Sequence, residues 1–194
     1  YGKQNKKKNF NENMKPSPFS PYSIGKYAGE LYAKMHMEQF KKPIKILRPF
    51  NIFGETQSIK AVIPELISKF LQNENVKITN GTQTREFNYV GNTVNFLIEA
   101  MEVKSLIGQV INISDGVEIN IRNLARILKK LTNSKSRIIV GGLKERKSEI
   151  YRMKASRVNM KKYLKKTKII TFEQGLKRTI DWHKNQYPKI YDIC

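Results

Sequence analysis

The chain has 194 residues, 39% of them hydrophobic, and carries 37 Lys and Arg against 16 Asp and Glu, a formal net charge of +21. That length fits one globular domain or a large piece of one. No apolar run is long enough to span a bilayer, and a single cysteine, Cys194, excludes an internal disulfide framework and points to a reducing, cytoplasmic setting. The lysines are spread along the chain, with modest clusters at "NKKKN", "RVNMKKYLKKTK" and "KERK" and no nucleic-acid-binding motif beside them. The charge therefore reads as solvated faces with some attraction for anionic small substrates, and nucleic-acid binding is the lesser reading.

Residues 1–20 are polar and punctuated by Pro and Ser, which predicts a loop. Their basic start, "YGKQNKKKNFNENMK", lacks the apolar stretch of a secretory signal. Ser20 suits an N-cap and Pro21 a first helical position, so a helix is predicted over Pro21–Phe40 with Ile24, Ala28, Leu31, Tyr32 and Met35 on one face. "PIKILRPFNIFG" reads as a buried strand broken at Pro49 and Gly54. "SIKAVIPELISKFLQNE" reads as a loop entering a helix, with Pro64 in its first turn. "VKITNG" and "TREFNYV" read as strands, the latter followed by a helix over Thr93–Glu102. "GQVINIS" is a strand closed by a turn at Asp115-Gly116, and "NIRNLARILKKLTN" is an amphipathic helix. "SRIIVGG" is a strand, and a basic segment leads to a last helix capped by Thr171 and Gln174. Alternating strands and helices predict an α/β fold.

Tyr22 and Lys26 are four residues apart, so they share one helix face. A lysine ammonium beside a tyrosine favours the phenolate, and a tyrosine so placed can act as a general acid or base. A bare Tyr-x-x-x-Lys is common by chance, and an ordinary surface helix explains it equally well. Its surroundings add information: Tyr1-Gly2, "SPFSPY", Glu30, "LRPFNIFG", "AVIPELI", "TREFNYVGNTVNFLIEAME", "IGQVINISDG" and "KSEIYRMKASRVNM" follow in order.

This succession resembles the extended short-chain dehydrogenase/reductase family, the NAD-dependent nucleotide-sugar epimerases and dehydratases, over nearly the whole chain. The nearest likeness is to 4,6-dehydratases acting on nucleotide-linked N-acetylhexosamines, with surface polysaccharide or glycan precursors as their usual products. The resemblance implies the C-terminal part of a Rossmann-type fold with a small mixed α/β substrate-binding region. Residues 1–54 would close the NAD-binding part, and residues 55–194 would be mainly substrate-binding.

It further implies Tyr22 as the acid/base at the sugar 4-hydroxyl and Lys26 as the anchor of the nicotinamide ribose. Pro49 would lie at the nicotinamide and Asn51 at the substrate diphosphate. Val62, Ile63 and Pro64 would pack on the nucleotide base, although Val62 and Ile63 serve equally as core. Arg85 is implied as the diphosphate clamp, a task its guanidinium fork suits. Asn112 and Arg146 are implied as further nucleotide contacts. His36, Trp182 and His183 have no metal-like spacing and read as packing or surface residues.

The glycine-rich dinucleotide turn of that family does not occur in these residues. The chain is therefore expected to be the C-terminal part of a longer enzyme, a homodimer when intact, with little turnover by itself. Departures from the family pattern are Glu86 for an aspartate, Gly91 and Asn92 for acidic positions, "ISDG" for a glycine turn, and "YLKKT" near the last loop. A 4-epimerase or decarboxylase of the same family, or an inactive basic binding module, are the rival readings.

Overall fold

The computed structural model describes residues 1–2, 8–145 and 149–190. Helix α1 (Pro21–Phe40) has the bounds the sequence suggested. The Ser20 hydroxyl accepts from the Ser23 N–H, and the Ser23 Oγ accepts from the Ser20 N–H, so two orphan donors are satisfied reciprocally. Lys41 ends the helix in the left-handed region at φ 51°.

Strand β1 (Ile46–Pro49) and strand β2 (Asn51–Phe53) come from the run expected to break at Pro49. They part company there: β1 lies parallel to β5 (Val110–Ile113), and β2 lies parallel to β4 (Thr84–Tyr89). Between them come α2 (Val62–Leu71) and β3 (Val76–Ile78). Helix α3 (Val90–Glu102) starts directly on β4, three residues before the expected Thr93. A 3-10 turn at Lys104–Leu106 leads into β5.

Then follow β6 (Glu118–Asn120), α4 (Ile121–Leu131), β7 (Ile138–Val140), β8 (Arg152–Met153), α5 (Val158–Tyr163) and α6 (Phe172–Ile190). Strands β6 and β8 both pair with β4, antiparallel and parallel respectively, and β7 runs parallel to β3. Mixed strand directions and interleaved helices make the α/β class plain. The sequence did not flag β6, β8 or α5. Two or three residues carry no period-2 pattern, and a six-residue helix is shorter than the window that reveals one.

The main core gathers where α2, α4 and α6 cover β3 and β4. Ile67, Leu124, Leu128 and Leu176 are fully buried there beside Phe53 and Phe70. Each such side chain contributes about 1.5–3 kcal/mol by leaving water. A second cluster joins Phe96 and Ala100 of α3 to Ile111 and Ile113 of β5 and to Met160 and Leu164. A third packs Phe10 on Phe50 and Ala155, with Tyr1 against it.

The apolar face expected on α1 is not packed. No residue of this helix is buried, and Ile24, Leu31 and Tyr32 stand 55%, 48% and 64% exposed. Nothing among the described residues covers that face. The described residues also contain no helix long and apolar enough to cross a membrane and no convergent metal-ligating group.

Candidate active site

Three side chains of α1, Tyr22, Lys26 and Glu30, recur at a spacing of four and form one stripe. The Lys26 Nζ stands 5.5 Å from the centre of the Tyr22 ring, and Tyr22 itself is 75% exposed. The stripe borders a cavity of about 1140 Å³ whose opposite wall comes from β1, β2 and the start of α2. Pro49, Asn51, Val62 and Ile63 line it together with Tyr22 and Lys26.

Local structure explains how these walls meet. Pro49 has no N–H to offer a ladder, and the next residue, Phe50, donates its N–H to the Ile113 carbonyl at 3.1 Å. The chain thereby steps from β1 to β2 and turns Asn51 toward the cavity. The Asn51 Nδ2 donates to the Glu86 carbonyl at 3.0 Å and lies 3.8 Å from the Met153 Sδ. At Gly54 a Cβ would fall 2.3 Å from the Val90 Cγ1, so only glycine lets the end of β2 approach the start of α3.

The remaining sequence-derived candidates lie apart. Pro64 is buried in the first turn of α2 and is not in the cavity wall. Arg85 turns to Glu149 and to the Ile150 carbonyl, and also reaches the Thr84 carbonyl at 2.8 Å. Asn112 is fully buried, with its Nδ2 donating to the Phe10 carbonyl at 3.0 Å and its Oδ1 accepting from the Tyr1 hydroxyl at 2.6 Å. Arg146 lies outside the described residues. His183 is buried, which pulls its imidazole below the ordinary value, and His36 sits between the rings of Tyr32 and Phe40.

Arg48 and Tyr1 were not singled out from the sequence, and both enter the cavity wall. Arg48 holds Glu30 through two nitrogens, Nε to Oε2 at 2.8 Å and Nη2 to Oε1 at 2.6 Å, and its Nη1 donates to the Tyr1 hydroxyl at 2.8 Å. Burial alone would raise the Glu30 carboxyl. Hydrogen bonds from Arg48 and Lys34 outweigh it and hold the carboxyl below the ordinary carboxylate range. The Tyr1 phenol is pushed up by burial, against the opposing pull of Arg48. The clue in the sequence was the second step of four residues, from Lys26 to Glu30.

The positions that departed from the family pattern hold the frame behind the cavity. Glu86 is fully buried and accepts from the Ser114 hydroxyl, the Gly116 N–H at 2.8 Å and the Ala155 N–H at 2.7 Å. Burial raises its carboxyl, and the two backbone donors only partly counter this. Asn92 is also fully buried, joining Asp115 at 2.8 Å to both backbone groups of Ile170.

Known proteins resemble this chain in sequence and fold. The human dTDP-D-glucose 4,6-dehydratase is 30% identical in an alignment of 188 positions that covers 93% of this chain and 53% of that protein. The structure of a UDP-glucuronic acid 4-epimerase from Bacillus cereus, in complex with UDP-glucuronic acid and NAD, superposes with a TM-score of 0.87 at 28% identity, covering 96% of this chain and 59% of that one. A UDP-N-acetylglucosamine 4-epimerase from Methanobrevibacter ruminantium, in complex with UDP-N-acetylmuramic acid, is 31% identical with a TM-score of 0.87, over 95% of this chain and 60% of that one. The chain spans about half the length of the curated relatives it matches. A family model described as NAD dependent epimerase/dehydratase matches residues 1–114. With its Rossmann-type neighbours and its ordered motifs, the chain belongs to the NAD-dependent epimerase/dehydratase family, within the extended short-chain dehydrogenases/reductases.

Proposed function

We propose that this chain supplies the substrate side and the Tyr/Lys helix of a nucleotide-sugar enzyme whose first step is oxidation at C4 of the sugar. The carrying observation is that Tyr22, Lys26, Pro49, Asn51, Val62 and Ile63 border one cavity. Residues 1–54 form its cofactor side, and residues 55–194 form mainly its substrate side.

NAD, when bound, supplies the hydride acceptor. The cavity fits its nicotinamide end: the Lys26 ammonium can donate to ribose hydroxyls, and the wall at Pro49 lies across from it. The Tyr22 phenolate takes the proton of the sugar 4-hydroxyl, with the Lys26 ammonium beside its ring. Asn51 offers an amide to the diphosphate. Val62 and Ile63 offer an apolar wall to the base, with Pro64 stiffening the turn behind them. Arg85 clamps the diphosphate once it exchanges Glu149 for phosphate oxygens, and Asn112 acts through Tyr1 behind the wall. Arg146 completes the phosphate contacts, and the enzyme works as a homodimer.

The later course we assign is 4,6-dehydration, by likeness to the human dehydratase. Inversion at C4 is the second reading, favoured by the two epimerase structures. Calorimetric titration with UDP- and dTDP-linked hexoses tests the shared part. NMR of the sugar after incubation with NAD and this chain joined to a dinucleotide-binding half tests the rest. A 4-keto-6-deoxy product supports dehydration, and an inverted C4 supports epimerisation. Salt-dependent retention on DNA without saturable nucleotide-sugar binding would overturn the proposal.

A further inference from the structure

Glu30 continues the Tyr22–Lys26 stripe by one more helical step, yet its environment differs sharply from theirs. Its side chain is 9% exposed on a helix with no buried residue, and the Arg48 side chain gripping it is 16% exposed. The pair is bidentate, the geometry that gives an ion pair direction as well as energy. Exposed ion pairs with one contact do little, and this one is neither exposed nor single.

Arg48 does not hang free behind Glu30. It sits on β1 directly across from Asn112 of β5 in the parallel register. The Tyr1 hydroxyl accepts from Arg48 and donates to Asn112, closing the bridge above that register pair, and the guanidinium lies 4.8 Å from the centre of the Tyr1 ring. Asn112 is fixed in turn through its N–H, which donates to Glu12 at 2.9 Å. A continuous path of directed contacts therefore runs from α1 to the two-stranded sheet.

Packing ordinarily sets how a helix is rotated about its own axis, because its apolar ridge fits a groove. Helix α1 has no such ridge packed among the described residues. Two parallel hydrogen bonds to one carboxylate can take over that task. They fix which residues of a 3.6-residue helix face the cavity, and they fix its height along the sheet.

We propose that Glu30 and Arg48 are positioning residues for Tyr22 and Lys26. Their bidentate contact sets the rotation and height of α1, so that the two side chains four and eight residues before Glu30 face the cavity. The purpose assigned to this lock rests on the function proposed above, and its mechanical content does not.

The test is the distance between nitroxides at Ala28→Cys and Gln109→Cys, both exposed positions, in the full chain carrying Cys194→Ser. The parent gives one narrow distance. Glu30→Gln and Arg48→Met each broaden it roughly two-fold, because a neutral or unforked partner no longer fixes the helix. Arg48→Lys keeps the charge without the fork and gives an intermediate width. The charge-swapped pair Glu30→Arg with Arg48→Glu narrows the distribution again, which simple loss of stability would not do. Lys34→Met, which removes only the neighbouring Lys34–Glu30 bridge, leaves the parent width. If Arg48→Met does not fold, the near-isosteric Glu30→Gln decides. Widths in Glu30→Gln equal to the parent overturn the lock. Broadening in a protein that binds no nucleotide sugar sustains the lock and overturns the functional reading instead.

Discussion

Helix α1 and the body formed by α2, α4 and α6 solve the same problem differently. In the body, position follows from apolar burial: Phe70, Ile67, Leu124, Leu128 and Leu176 fill a shared core with little room to shift. On α1, no residue is buried, and its one enclosed anchor is a carboxylate gripped by an arginine. Burial is tolerant of chemistry and intolerant of volume. A bidentate ion pair is the reverse, so the two regions fail under different substitutions.

The largest expected effect breaks the body. Phe70→Ala, at a fully buried site, lowers stability by about 3–5 kcal/mol in urea unfolding. A change of that size leaves the whole fold marginal.

Next in size are two carboxyls with opposite pH dependence. Glu99 accepts from the Lys165, Lys166 and Thr167 N–H groups and from the Thr167 hydroxyl. Burial alone would raise it, and these donors outweigh burial and hold it below the ordinary range. Its contribution is complete above the unfolded value and is lost as pH falls through the folded one. Glu86 is held above the ordinary range, chiefly by burial. The folded chain keeps its proton where the unfolded chain has released it, so stability falls as pH rises between those two values. Unfolding measured from pH 3 to pH 8, a range of about five units bracketing ordinary carboxylates, should show Glu99→Gln flattening the acid limb and Glu86→Gln flattening the opposing slope.

A smaller global effect sharpens the contrast. Glu30→Gln should lower global stability by less than about 1 kcal/mol, since α1 buries no residue and can loosen without opening the core of the body. Amide exchange should quicken along Pro21–Phe40 and stay unchanged in α2 and α4. The least effect is expected from Lys69→Met, which removes an exposed pair with Glu65 on α2. A change within about 0.5 kcal/mol is expected in the same unfolding assay.

The long elements were legible in the sequence because each declares its own pattern. The Ser20-Pro21 start and the apolar stripe of "NIRNLARILKKLTN" sufficed for α1 and α4, and Thr171 with Gln174 marked α6. In the cavity wall, Tyr22, Lys26, Pro49, Asn51, Val62 and Ile63 were all named from motifs. Arg48 and Tyr1 escaped because their importance arises from partners 18 and 47 residues away, and no local period records such pairs. Glu86 read as a departure from the family pattern, and only the fold reveals three donors converging on it.

The parallel pairing of β1 with β5 has a consequence for the cost of assembly. Tyr1 and Asn112 are 111 residues apart in sequence, and Ile46 meets Val110 across the same sheet. Closing such loops costs chain entropy before any contact repays it. The helices of the body face the same cost, since α2 packs on α4 and α6 and α6 packs on β4, all far apart in sequence. Strand β1 walls the cavity, so a ligand bound there also holds closed a long loop of chain that is costly to close.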